Sequence, residues 1–165
     1  MISNNTSIIY YLDEHFQVTP QDKASFVKKV IHKKYRHYDF VNKEVFWLQK
    51  LKSFDRVPNV VFFNDNTIIM DYMGRIIAKK TVPVDWEEQI KYIVETLGVL
   101  EVSHNDIKLE EILVNGNKIN LIDFQHATNN REEFRELRKQ GKTTVECVQD
   151  DITALHSIIK NLLLC

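Results

Sequence analysis

The chain has 165 residues, enough for one domain or for two small lobes sharing a core. Hydrophobic residues make up 44% and charged residues 27%, which excludes wholesale disorder, and a net charge of −1 excludes a uniformly basic nucleic-acid coat. Two cysteines, Cys147 and Cys165, exclude a disulfide scaffold and a four-cysteine zinc site, and four widely spaced glycines exclude a glycine-rich phosphate loop of the usual spacing.

Residues 1–11 lack the basic start of a secretory signal. No stretch approaches the roughly 20 apolar residues that span a bilayer. The expected setting is therefore cytoplasmic, reducing and without a membrane span.

The first 73 residues read mostly as strands. Ile8, Tyr10 and Leu12 alternate, Asp13-Glu14-His15 turns the chain, and Phe16 and Val18 alternate again. A second turn at residues 19–22 leads to a strand over 24–31. Residues 41–51 carry Val41, Glu44, Val45, Leu48 and Leu51 at three- and four-residue steps, the period of an amphipathic helix. Two short strands follow, 60–63 and 67–72, joined by Asn64-Asp65-Asn66.

The texture changes at Gly74. Residues 85–100 read as a helix with Ile90, Ile93, Val94 and Leu97 on one stripe and Asp85 as its N-cap. A polar stretch over 103–111 precedes a hairpin, 112–114 and 118–122, around Asn115-Gly116-Asn117. Two helices complete the chain. The first, 130–140, is highly charged. The second, 151–164, turns Ile152, Leu155, Ile159 and Leu162 inward.

Charge is divided along the chain. Residues 23–52 hold nine bases and two acids, a net of +7, and residues 85–123 hold nine acids and three bases, a net of −6. A cationic wall and an acidic wall together suit a polyphosphate carried with a divalent metal.

The chemistry concentrates in residues 103–128. Asp106 lies in a polar loop after a helix, Lys108 two residues on, and Asp123 directly after the apolar strand Asn120-Leu121-Ile122. A carboxylate at a strand end can hold Mg²⁺ against phosphate oxygens. A loop carboxylate can orient and deprotonate a hydroxyl, and a lysine can neutralise the transferred phosphoryl group. Phosphoryl transfer needs these parts, because its catalysis is mostly positioning and electrostatics.

These residues resemble the protein-kinase-like superfamily. His104-Asn105-Asp106-Ile107-Lys108 is similar to its HRDxK catalytic loop, and Leu121-Ile122-Asp123-Phe124-Gln125 is similar to the strand and DFG motif that follow. Phe26-Val27-Lys28 resembles the V-x-K of its third strand. Glu44 stands where that lysine's partner would be, Met70-Asp71-Tyr72-Met73 at the adenine-binding hinge, and Asp151 at the aspartate that braces the catalytic loop. The resemblance spans roughly residues 7–163.

The resemblance implies an α+β, two-lobed fold in one domain, with a small β-rich N-lobe over 1–73 and a truncated, mainly helical C-lobe over 74–165. It implies ATP in the cleft, Asp106 as catalytic base with Lys108 beside it, and Asp123 and Glu111 as metal ligands. It places Lys28 on the phosphates paired with Glu44, Asp71 and Met73 along the adenine, and His104 and Asp151 in support. Lys29 is the alternative to Lys28, since a one-residue slip flips strand faces. The truncation is similar to RIO-type, tRNA-modification-complex and lipopolysaccharide kinases.

Three positions depart from the superfamily's pattern. Glu111 replaces the metal-binding asparagine, Gln125 replaces the DFG glycine, and Asp13-Glu14-His15 stands where glycines cover the phosphates. The expected function is thus an ATP- and Mg²⁺-dependent Ser/Thr protein kinase. The alternatives are a pseudokinase that binds a nucleotide or a protein partner, and an RNA-associated factor using the basic run of residues 28–38. Other features read as follows. His126 with His104 and Asp106 would suit a hydrolase metal site. Arg131, Arg135 and Arg138 form one stripe. Thr128, Thr143 and Thr144 are open to phosphorylation, and Cys147 is expected to be buried.

Overall fold

A computed structural model describes residues 2–3, 6–145 and 149–165; Cys147 lies outside them. The chain divides into two compact units, Met1–Tyr72 and Met73–Cys165, one residue earlier than the texture change suggests.

The first unit contains β1 (Ile2–Ser3), β2 (Ser7–Leu12), β3 (Phe26–Ile31), α1 (Phe40–Lys50), β4 (Val60–Phe63) and β5 (Thr67–Asp71). Its five strands form one antiparallel sheet in the order β1-β2-β3-β5-β4. The β2–β3 register sets Tyr10 opposite Lys28 and Leu12 opposite Phe26. The stripe predicted for α1 is the stripe it buries: Val41, Glu44, Val45 and Leu48, with Trp47 beside them. This helix packs on β4 and β5, where Ile68 and Met70 are buried.

The expected return strand at Phe16 and Val18 does not form; a single bridge joins Leu12 to Val18. The Asp13 carboxylate accepts the amides of His15 and Gln17 at 2.8 and 3.1 Å, which curls the chain into a tight turn. Phe16 then takes a positive φ of 61° and stacks on Phe26 with ring centroids 4.8 Å apart. A short 3-10 turn, Gln21–Lys23, ends with the Ala24 amide bonded to the Gln21 carbonyl, so β3 starts at Phe26 rather than at residue 24.

The second unit contains β6 (Arg75–Ile76), α2 (Trp86–Val99), β7 (Ile112–Asn115), β8 (Lys118–Leu121), α3 (Arg131–Lys139) and α4 (Asp151–Leu164). It is a mixed unit: β6, β7 and β8 make a three-stranded antiparallel sheet beside the helices. The sequence pattern missed β6, which has only two residues. Helix α2 packs against α4 and β8, burying Ile90, Ile93 and Leu97. Asp85 does not cap α2 through a backbone amide; its Oδ1 accepts the Gln89 side chain at 2.8 Å. Gln89 then bonds the Asn117 carbonyl and the Ile119 amide, tying the helix to the β7–β8 turn. Helix α4 buries Leu155 and Ile159 as predicted, together with Asp151 and Ala154 in place of Ile152 and Leu162. Ile152 is exposed and Leu162 half-buried, because the buried stripe starts from Asp151.

Gly74 lets β6 approach β7. It has φ +112°, and a Cβ there would lie 2.2 Å from the Val114 carbonyl oxygen. Gly74→Ala is therefore expected to lower stability by about 2 kcal/mol or more, a fall of several degrees in Tm. Gly116→Ala, at φ +59° with open space around it, should cost about half as much. Thermal melts of the two variants beside wild type check the order.

Candidate active site

In the second unit the site is built on one buried carboxylate. Asp151, at the start of α4, accepts the His104 amide at 2.7 Å through Oδ2 and the Asn105 amide at 3.0 Å through Oδ1. The Ser103 hydroxyl adds a longer contact to Oδ2 at 3.4 Å. Loop amides that would otherwise be buried without partners are thus satisfied by an ion.

His104 is fully buried with both ring nitrogens used. Nε2 bonds the Ile122 carbonyl at 2.8 Å and Nδ1 accepts the Asp106 amide at 3.2 Å, which fits the neutral Nε2–H tautomer. The ring also packs edge-on against Phe124. His104 therefore fastens the loop to the end of β8.

Asn105 is the residue that motif reading passed over. It sits at φ 70°, a conformation that asparagine tolerates better than most residues. Its amide donates to the His126 carbonyl and the Thr128 hydroxyl, both at 2.9 Å, so the loop is stitched to the segment after Asp123. A backbone bridge between Ser103 and Thr128 reinforces the join. Thr128 is consequently buried, its hydroxyl committed to Asn105 and to the Asn130 carbonyl, and it is not an open phosphorylation site.

Within this frame the four charged groups interact. Lys108 Nζ lies 3.4 Å from Asp106 Oδ2. Burial lowers the Lys108 pKa, but the charges of Asp106, Glu111 and Asp123 outweigh it and hold the ammonium above its usual value. Glu111 is buried and accepts the Lys108 amide at 2.9 Å. Burial, then the charges of Asp123 and Asp106, push its carboxyl up to about 8. Asp123 follows β8 at φ 70°. Burial also lowers the His126 pKa against the pull of Asp106 and Asp123.

No group of three or more His, Cys, Asp or Glu among the described residues is placed to hold a metal by itself. The hydrolase arrangement does not arise, because both His104 nitrogens are taken by protein groups. The hard carboxylate oxygens of Asp123, Asp106 and Glu111 do suit Mg²⁺. That ion takes one or two carboxylates and completes its shell with substrate phosphates and water.

The first unit carries a separate charged pair. Lys29, not Lys28, meets Glu44: Nζ to Oε2 is 2.8 Å, with the residues 4% and 1% exposed. Strand alternation decides this, since Lys29 shares the buried face with Ile31 while Lys28 lies over the Tyr10 ring. At the expected hinge, the Asp71 carboxylate accepts the backbone and side-chain amides of Asn59, and the Tyr72 amide donates to the Ser25 carbonyl. In the second unit the Met73 carbonyl accepts from Asn120 at 2.8 Å. On the arginine stripe, Arg131 lies over Phe134 and reaches Asn105 Oδ1 at 3.4 Å, and Arg135 pairs with Glu132.

A braced loop bearing Asp106 and Lys108, with an acidic residue closing the adjacent strand, is the arrangement of a kinase-like domain. Residues 5–147 match the family model of the RIO domain, and the chain belongs to that family of atypical protein-kinase-like proteins. No curated protein matches the chain. Among the described residues, no helix is long and apolar enough to cross a membrane.

Two measurements probe these charged groups. Breaking the buried pair by Glu44→Gln or Lys29→Met is expected to cost about 3–5 kcal/mol. The double variant Lys29→Met/Glu44→Leu should recover much of that loss in chemical denaturation. Glu111 makes a pH prediction. Its carboxyl titrates higher in the folded chain than the usual 4.5, so its contribution is fully present below 4.5 and is lost as pH rises toward about 8. Glu111→Gln should therefore gain in Tm over wild type as pH goes from 5 to 8 in chelator-containing buffer (about two pH points per unit suffice). A constant difference across that range would contradict the assignment.

Proposed function

We propose that the chain is an ATP- and Mg²⁺-dependent phosphotransferase acting on a hydroxyl, with a protein Ser or Thr as the acceptor. The observation that supports this best is the convergence of Asp106, Lys108, Glu111 and Asp123 on the braced loop and the strand end beside it. Membership of the RIO family, whose members bind ATP with Mg²⁺, points the same way.

Asp106 orients the acceptor hydroxyl and takes its proton. Lys108, held charged by its acidic neighbours, offsets the negative charge on the phosphoryl group in transit. Asp123, with Glu111 behind it, would hold Mg²⁺, which supplies charge neutralisation to the ATP phosphates when bound. In the first unit, Lys29 rather than Lys28 is the strand lysine that Glu44 holds in place.

A pseudokinase is the second reading, and Glu111 favours it. A buried carboxyl that is mostly protonated near neutral pH is a weaker metal ligand than an ionised one. The Asp13 turn adds no comparable objection, since that carboxylate is engaged by its own loop amides.

Thermal stability with ATP, Mg²⁺ and both together tests the site. Ligand at about 100 times its Kd adds about 2.7 kcal/mol. The expected result is a shift that requires both. Asp123→Asn should remove the Mg²⁺-dependent part of that shift. Asp106→Asn should abolish turnover while leaving nucleotide affinity within about threefold. Turnover by Asp106→Asn at the wild-type rate would remove Asp106 from the catalytic role, and nucleotide binding without any turnover would establish the pseudokinase.

A further inference from the structure

We infer that the 3-10 helix Lys33–Tyr38, between β3 and α1, is a contact site for single-stranded nucleic acid. The inference concerns the first unit alone and holds whether or not the chain turns over ATP.

The structure divides the basic run of residues 28–38. Lys28 and Lys29 belong to β3, where Lys29 is buried against Glu44 and Lys28 lies over the Tyr10 ring. Lys33–Tyr38 leaves the sheet as a 3-10 helix with no buried residue. Such a helix has three residues per turn, so side chains three apart eclipse one another. Its residues therefore form rows: Lys33 with Arg36, Lys34 with His37, and Tyr35 with Tyr38. The tyrosine row is seen directly, with ring centroids 6.2 Å apart. Lys34 Nζ lies 4.9 Å from the Tyr35 centroid, which joins a basic row to the row of rings.

The rings also form a column. Phe40 is buried, Tyr38 stacks on it at 5.3 Å with the planes 13° apart, and His37 lies against Tyr38 at 4.0 Å. The column starts from a buried ring and ends on an exposed one, His37. A nucleobase can extend such a column from its outer end while its phosphates meet the neighbouring cations.

The charge around the helix is positive once the acids of the first unit are placed. Asp13, Glu14, Asp22 and Asp71 lie at the start of β3, where Leu12 and Asp71 pair with Phe26. The length of β3 puts roughly 17 Å between them and residues 33–38, beyond a screening length of about 8 Å. Asp55 lies past the far end of α1, beside Arg56, and Glu44 is buried against Lys29. Asp39 and Asp65 remain. The Asp39 carboxylate accepts the Asn42 side chain at 2.8 Å. Asp65 is in the β4–β5 turn, where the Asn66 carbonyl accepts the Ile31 amide. Among the described residues, neither acid is paired with Lys33, Lys34, Arg36 or His37, and all four of these are exposed. An acidic peptide would use this charge and leave the column of rings unused. A single-stranded nucleic acid uses both.

Fluorescence anisotropy on the full chain tests the site. The probes are fluorescein-labelled oligouridylate and oligothymidylate of about twelve nucleotides, at about pH 8. The controls are an abasic oligomer of the same length and a polyglutamate peptide of the same charge. Binding is expected with a Kd below about 100 µM in about 50 mM salt, weakening about twentyfold at about 200 mM, since three neutralised phosphates give a slope near −2. The abasic oligomer should bind at least about fivefold more weakly. Lys33→Glu and Arg36→Glu should each weaken binding about tenfold and flatten the salt slope. His37→Ala should weaken it about fivefold with the slope unchanged. These side chains are exposed, so melting temperature should hold in all three variants. Lys23→Glu, exposed at the far end of β3, should change affinity less than about twofold. Both oligomers carry the shared chemistry, and a preference of about tenfold for one identifies the source as RNA or DNA. Equal affinity for the polyglutamate peptide or for the abasic oligomer would overturn the proposal. So would a loss from Lys23→Glu as large as that from Arg36→Glu, or no binding at about 100 µM protein in low salt.

Discussion

The carboxylate of Asp151 is the constraint on which the site in the second unit depends. A polar loop cannot be buried unless its amides find acceptors. Asp151 supplies them from the first turn of α4, and it faces inward because it heads that helix's buried stripe. The loop in turn aligns His104 against the end of β8 and Asn105 against the segment beyond Asp123. Charged groups separated in sequence are thereby referenced to one buried carboxylate, which fixes them in place.

The first unit solves a related problem with a different device. A buried lysine is tolerated only with a counter-charge, and α1 delivers Glu44 from the centre of its apolar stripe. The same burial leaves the outer surface of α1 without that acid. One ion pair therefore governs the interior of this unit, where it holds Lys29 in a fixed place.

Crowding among like charges separates this site from an ordinary polar cluster. Burial and the charges of Asp123 and Asp106 raise Glu111's cost of ionisation, and Lys108 only partly relieves it. Such a cluster is stable in a fold that accepts strain at the site and compensates elsewhere, here through the hydrogen bonds of the loop. Asn105 and Asp123 at positive φ belong to the same pattern.

Much of this was legible in the amino-acid sequence. The helices α1, α2 and α4 and the hairpin of β7 and β8 follow from hydrophobic period and turn residues, which are local properties. The order and spacing of His104, Asp106, Lys108 and Asp123 is a chemical signature that survives without any coordinates, and the resemblance to the kinase-like superfamily puts Asp151 at the position of the loop's brace. Tertiary structure decided the rest. Which of two adjacent lysines is buried depends on the face that β3 presents, and a one-residue shift reverses it. The return strand at Phe16 was lost to a carboxylate capturing its own turn, an event that alternation does not register. The two-residue β6, the bridging role of Asn105 and the raised carboxyl of Glu111 all arise from groups distant in the chain meeting in a dry interior. Sequence by itself determined the local elements and the kinds of chemistry at hand. Partners, protonation and faces were settled only by packing, because each depends on which neighbours exclude water.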